Sequence, residues 1–253
     1  MNKVGSYEND LTAMSPKKWE DYLKAHSGLP GPRGNIELAK AFAETASMLD
    51  FKKYIYWDVN VAPENSPECF LTFCGILGVG KYVAKEHDER LLALLKDKAN
   101  DPRWRIREAV TMALQMVGER KMSRLIAYAL LWSKGTFLEQ RAAIAALCEP
   151  KLLSNPDDCI EVLDILDWVT AGVVQHDEQQ KSEEYRVLQK GLSYCWSVAV
   201  VSIPEKGKKY MERWIRERHP IVRAIMKKNL DKKRLQKMDA DWVHTCRQSL
   251  FNS

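Results

Sequence analysis

The chain has 253 residues, 29% charged and 45% hydrophobic, a balance typical of soluble globular proteins and outside the range of disordered chains. No window approaches ~20 uninterrupted apolar residues, and "MNKVGSYENDLTAM" at the N-terminus has no apolar leader core, so neither a membrane span nor export is expected and a cytoplasmic setting is. The net charge of +5 hides a segregation: thirteen Lys/Arg against four Asp/Glu between Pro204 and Met238, a balance of +9, and nine acids against two bases from Pro150 to Glu184. A segregated basic surface points to a polyanionic partner, nucleic acid first, although a solvated helix face carries the same composition.

Helical periodicity recurs along the chain. "IELAKAFAETASML" predicts a helix over 36–49, with Asn35 as N-cap and Ile36, Ala39, Ala43, Ala46 and Leu49 on one apolar stripe. "GILGVGKY" (75–82) fits the phosphate-loop pattern G-x-x-x-x-G-K, but Tyr82 stands where magnesium needs Ser or Thr and no strand precedes it. A glycine-dotted helix junction is the expectation there. "ERLLALLKDKA" (89–99) is amphipathic, "DP" breaks it, and "IREAVTMALQMVG" (106–118) resumes, with Asp101 as cap, Pro102 at the first position and Gly118 at the end.

The same helix, turn and helix return three times. Residues 124–147 break at Ser133–Gly135; 162–174 and 185–200 are separated by the acidic loop "QHDEQQKSEE"; 207–230 has Pro220 at the joint. β-Branched residues rarely cluster outside "SVAVVSI" (197–203), so strands are not expected. Alignment of the second helices superposes Arg107, Arg141, Lys190 and Arg223.

Helix pairs at this spacing resemble HEAT repeats, which implies an all-α fold of the α-α superhelix class, a HEAT-like repeat solenoid with second helices lining a concave face. The chain divides into an N-terminal helical region (1–84), a repeat region (85–235) and a C-terminal tail (236–253), expected to form one continuous solenoid.

The six cysteines sit in apolar helical patterns and read as reduced, small hydrophobes. Cys69 and Cys74 lack a second ligand pair and the five histidines are dispersed, so neither a metal nor a cofactor is expected. The common hydrolase motifs do not occur.

"LEQRAAI" (138–144) and "LQKGLSY" (188–194) resemble stretches of the bacterial DNA alkylation-repair glycosylases, alkylpurine-releasing enzymes built from HEAT-like repeats. The likeness spans roughly residues 85–230. It implies a groove that grips duplex DNA, alkylated or plain, and a site made of two aromatic residues, a carboxylate and an arginine. Arg141 matches the family arginine; Trp104 and Glu108, at i and i+4, stand for its Trp and Asp; Tyr194 falls where the family has a second tryptophan. Glutamate for aspartate adds a methylene, and tyrosine offers a cation a weaker π-face. Backbone contacts are expected from Arg107, Arg141, Lys190, Arg216, Arg223, Lys227 and Lys228. Two alternatives stay open from the residues alone. Trp104, Glu108 and Tyr194 are also compatible with repeat packing, and the groove is also compatible with a protein partner, the whole then being a non-catalytic adaptor.

Overall fold

Capped, proline-started segments dominate the chain, and they fold as helices throughout. The computed structural model describes residues 3–176 and 181–252, and among these every regular element is helical. The fold is all-α, and "SVAVVS" (197–202) forms the end of a helix, with Ile203 as its C-cap. The chain packs as two compact units, Met1–Arg120 and Lys121–Ser253, so the division falls inside the span expected to carry the repeats.

Unit 1 contains α1 (Lys3–Ala13), α2 (Trp19–Ala25), α3 (Ile36–Thr45), α4 (Met48–Lys52), α5 (Pro67–Lys85), α6 (Glu89–Ala99) and α7 (Trp104–Arg120). Asn35 caps α3 as expected, accepting from Leu38 N. The helix stops at Thr45, however, and a Ser47–Asp50 capping box starts α4, which leaves Leu49 79% exposed and off the apolar stripe.

The glycine-dotted string is not a junction. It lies inside α5, which Ser66 caps and which is buried along most of its length. A methyl on Gly80 would lie 2.4 Å from Ala113 Cβ of α7, and one on Gly78 would lie 2.4 Å from the Phe51 ring. Small residues are required at these positions because neighbouring elements pass too close for a Cβ. Lys81 donates to the carbonyls of Ala43 and Glu44 at the end of α3 and pairs with the Glu44 carboxylate at 2.8 Å, where a cation also offsets the helix dipole.

Asp101 does not cap α7 either. Its carboxylate accepts from Arg103 N and pairs with the Arg103 guanidinium at 2.7 Å. Arg103 also donates to the carbonyls of Trp57, Asp58 and Ala62, so it clasps the 57–62 turns from inside. The first N–H groups of α7, those of Trp104 and Arg105, donate to Glu64 instead. The helix runs through Gly118 to Arg120.

Unit 2 contains α8 (Met122–Trp132), α9 (Phe137–Leu147), α10 (Pro156–Gln175), α11 (Glu183–Ser202), α12 (Pro204–Ile215), α13 (Pro220–Leu230), α14 (Lys233–Met238) and α15 (Ala240–Asn252). Thr136 and Glu139 form a capping box on α9, Asn155 and Pro156 start α10, Ser182 caps α11, and Pro220 opens α13. Residues 177–180 of the acidic loop lie outside the described residues.

Repeat stacking is visible in the register of contacts. First helices pair at a constant offset: Tyr210 of α12 donates to Asp164 of α10 and Trp214 to Asp167, 46 and 47 residues apart. Second helices do the same: Phe137 packs edge-on against Tyr185, and Cys195 Sγ donates to Ile144 O, 51 residues away. A shared direction along each pair follows, because later residues meet later residues. Asn229 of α13 extends the second-helix row, its side chain accepting from Ser197 N and donating to Leu192 O of α11.

Candidate nucleic-acid interface

Each unit holds part of the expected site. In unit 1, α7 starts at Trp104, so Trp104 and Glu108 share a helix face. Both line a cavity of about 280 Å³, together with Leu29, Pro32, Phe70 and Phe73. The far wall is the 27–34 loop, which folds back through Asn35 N donating to Ser27 O, and in which Gly28 has a φ of 74° that favours glycine. Arg105 holds this loop to α7, donating to Gly31 O at 2.7 Å and to Asn65 Oδ1 at 3.2 Å. Its guanidinium carbon also stands 4.5 Å from the centroid of the Trp104 ring. Trp104 is 47% exposed, with a guanidinium already on its π-system.

At the start of α7, Glu64 receives the N–H groups of Trp104 and Arg105 at 2.7 and 3.4 Å. Burial nonetheless holds its carboxyl above the usual glutamate range, outweighing the lowering by those two N–H groups and by the Arg105 charge.

Arg107 does not face a groove. It is buried and donates from Nη1 to the carbonyls of Asp101 and Pro102, closing the α6–α7 turn. The alignment with Arg141 therefore pairs residues of different environment, and Arg107 leaves the set of candidate phosphate contacts.

In unit 2 three expected residues meet on adjacent helices. Lys190 and Tyr194 stand at i and i+4 on α11, with Gly191 between them. Arg141 of α9 lies across that glycine: a methyl on Gly191 would sit 3.4 Å from Arg141 Cγ. Arg141 is half-buried, Lys190 is exposed and Tyr194 is 42% exposed.

Two further cations stand over this aromatic ring. The Arg234 guanidinium carbon is 4.6 Å from the Tyr194 centroid, with Nη2 donating to the hydroxyl at 2.9 Å, and Lys232 Nζ is 5.9 Å from the centroid. These residues belong to the basic 204–238 run, but nothing in their spacing tells which of its thirteen cations meets an aromatic.

The remaining expected contacts are spread over α12 and α13. Arg216 is exposed beside Glu212 at 3.7 Å. Arg223 donates to Leu250 O of α15, so its charge is spent partly on a helix end. Arg223 and Lys227 line a cavity of about 380 Å³ with Asp231 and Arg247, and Lys228 is exposed beside them in the last turn of α13.

The charge segregation read along the sequence is partly cancelled in space. Asp167 of the acidic stretch pairs with Arg213, and Lys208 pairs with Asp239 at 2.6 Å. Basic side chains of α9, α11, α13 and the start of α14 lie exposed or half-buried. Among the described residues no group of His, Cys, Asp and Glu is arranged to hold a metal ion, and no helix is long and apolar enough to cross a membrane.

Comparison with protein-family models and with characterised proteins gives no match. A solved structure described as that of an engineered protein aligns over 94% of this chain and 98% of its own length, at 12% identity and a TM-score of 0.34. Likeness that slight carries no conclusion about fold or function.

Proposed function

We propose that this chain is a helical-repeat DNA-binding protein related to the alkylpurine glycosylases, holding duplex phosphates with basic side chains of the second helices of unit 2. One observation carries the reading: Arg141 crosses α11 at Gly191, beside Lys190 and Tyr194. On this reading, basic side chains of successive second helices hold phosphates of one duplex backbone. Lys227 and Lys228 of α13 extend the set. A cytoplasmic setting belongs to the same reading, since all six cysteines are buried free thiols.

Binding of a plain duplex, followed by fluorescence anisotropy over a salt series, tests it. Affinity is expected to fall steeply with salt, and Arg141→Ala and Lys190→Ala are each expected to reduce the slope of log K against log salt by about 0.9. Salt-insensitive or absent binding refutes the reading. Recovery of a protein that stays bound after nuclease treatment would favour the adaptor.

Base excision is the finer step, and the cavity lined by Glu108 favours it, with the carboxylate as the group that meets a cationic base because Arg105 already stands at the Trp104 ring. Release of 7-methylguanine or 3-methyladenine from methylated DNA, lost in Glu108→Gln, is the expected result. Release that is absent over a range of protein concentrations removes catalysis and leaves the binding proposal standing.

A further inference from the structure

Of the cations in the 204–238 run, several are neutralised by neighbours: Lys208 by Asp239, Arg213 by Asp167 and Arg216 by Glu212. Asp231, the carboxylate next to Lys232 in sequence, is engaged by Arg247 at 2.8 Å. Lys232 and Arg234 are different. Both stand over the Tyr194 ring, and Arg234 has a hydrogen bond to the Tyr194 hydroxyl besides. Both are half-buried rather than splayed into solvent.

We infer that Tyr194 is a positioning residue that orders Arg234, with Lys232 beside it, as a receptor for a nucleic-acid phosphate; this rests on the DNA-binding reading above. A free arginine must lose rotamer freedom when it grips a phosphate, and a guanidinium already held by an aromatic ring has lost much of it beforehand. One N–H of the fork is spent on the tyrosine hydroxyl, and the other four remain for the phosphate oxygens, enough for a paired contact.

The same geometry separates this ring from the role that the resemblance implies for it. A π-face stabilises a cationic base only when that base can approach it, and here two protein cations already stand within 6 Å of the ring. Like charges repel a positively charged base from this position. Tyr194 therefore serves phosphate binding that does not depend on base alkylation.

The test compares plain and methylated duplexes of one sequence, over a salt series, with the full chain and its Arg234→Ala, Arg234→Lys, Tyr194→Phe, Tyr194→Leu and Tyr194→Leu/Arg234→Ala variants. Arg234→Ala is expected to reduce the salt slope by about 0.9 on both duplexes equally. Arg234→Lys and Tyr194→Leu keep the charge but lose the stacked arrangement, so the slope is retained while affinity falls roughly two- to fivefold. Tyr194→Phe, which keeps the ring, is expected to lose less than Tyr194→Leu. The double variant is expected to bind no more weakly than Arg234→Ala alone, because Tyr194 acts through Arg234. A loss in Tyr194→Leu confined to the methylated duplex, an unchanged slope in Arg234→Ala, or additive losses in the double variant would each overturn the inference while leaving the DNA-binding reading intact. Failure of the wild-type chain to bind either duplex overturns both.

Discussion

Units 1 and 2 draw on the same residue types and put arginine and glycine to different uses. In unit 1, Arg103, Arg105 and Arg107 follow one another almost without interruption, and all three are buried against backbone carbonyls. In unit 2 Arg141 and Arg234 lie half-buried on helix surfaces, one against a glycine and one against a tyrosine ring. Glycine follows suit: Gly80 marks a backbone approach that admits no methyl, whereas Gly191 underlies a flexible side chain. An arginine early in a second helix is thus clasp or contact according to what its neighbours leave unsatisfied.

The largest test of that contrast is Arg103→Ala. It would leave the buried Asp101 carboxylate and the Ala62 carbonyl without the guanidinium and remove its part-buried bonds to Trp57 O and Asp58 O, at an expected cost of about 3–5 kcal/mol in denaturant unfolding. A cost below about 1 kcal/mol would mean that water replaces the clasp. Asn229→Ala probes the corresponding polar tie in unit 2, where the fully buried amide bonds Ser197 N, Leu192 O and Ile225 O; about 2 kcal/mol is expected.

Glycine-to-alanine exchange should differ in sign between Gly80 and Gly191. Gly80→Ala is expected to destabilise by about 1–3 kcal/mol, because Ala113 lies on a facing helix that cannot yield as a side chain can. Gly191→Ala meets only Arg141 Cγ and Ile144 Cδ1 at 3.4 Å, so the helix preference for alanine, about 1 kcal/mol at most, should leave it neutral or slightly stabilising. Thermal unfolding of the two variants reads both values, and equal shifts would erase the distinction.

The smallest expected effects are those of pH. Glu64 of unit 1 has its carboxyl raised by burial, so its ionised form disfavours the native state at neutral pH and that penalty fades as pH falls through its native pKa. Asp239 of unit 2 is lowered, first by the Lys208 hydrogen bond and then by the Trp242 N–H. Its contribution is present above the ordinary aspartate value and is lost as pH falls through the lowered one. Carboxyl ¹³C titrations should place Glu64 above and Asp239 below their unfolded values; the reverse order would contradict the contacts assigned to each.

Much of the local structure was legible in the sequence because caps, prolines and 3.6-residue periodicity act within a turn or two of chain. Asn35, Pro220 and helices α8–α13 follow those signals closely, whereas α15 occupies the stretch expected to be a tail. The failures involve residues claimed by distant partners. Asp101 looks like a cap until Arg103 takes its carboxylate, and Glu64, far off in sequence, supplies the cap's function to α7. Lys81 completes a phosphate-loop pattern but serves the end of α3.

The candidate site divides along the same line. That Trp104 and Glu108 share a face, and that Lys190 and Tyr194 do, follows from i, i+4 spacing alone. Which basic residues meet acids in space does not, because Coulomb pairing depends on distance in space rather than in sequence. The sequence by itself determined an all-helical chain of paired, capped segments with buried thiols and a segregated charge pattern. Tertiary structure alone decided that Arg107 would be a clasp, that Asp167 of α10 would pair with Arg213 of α12, and that Arg234 would lie on Tyr194, since each depends on helices brought together by burial of their apolar faces.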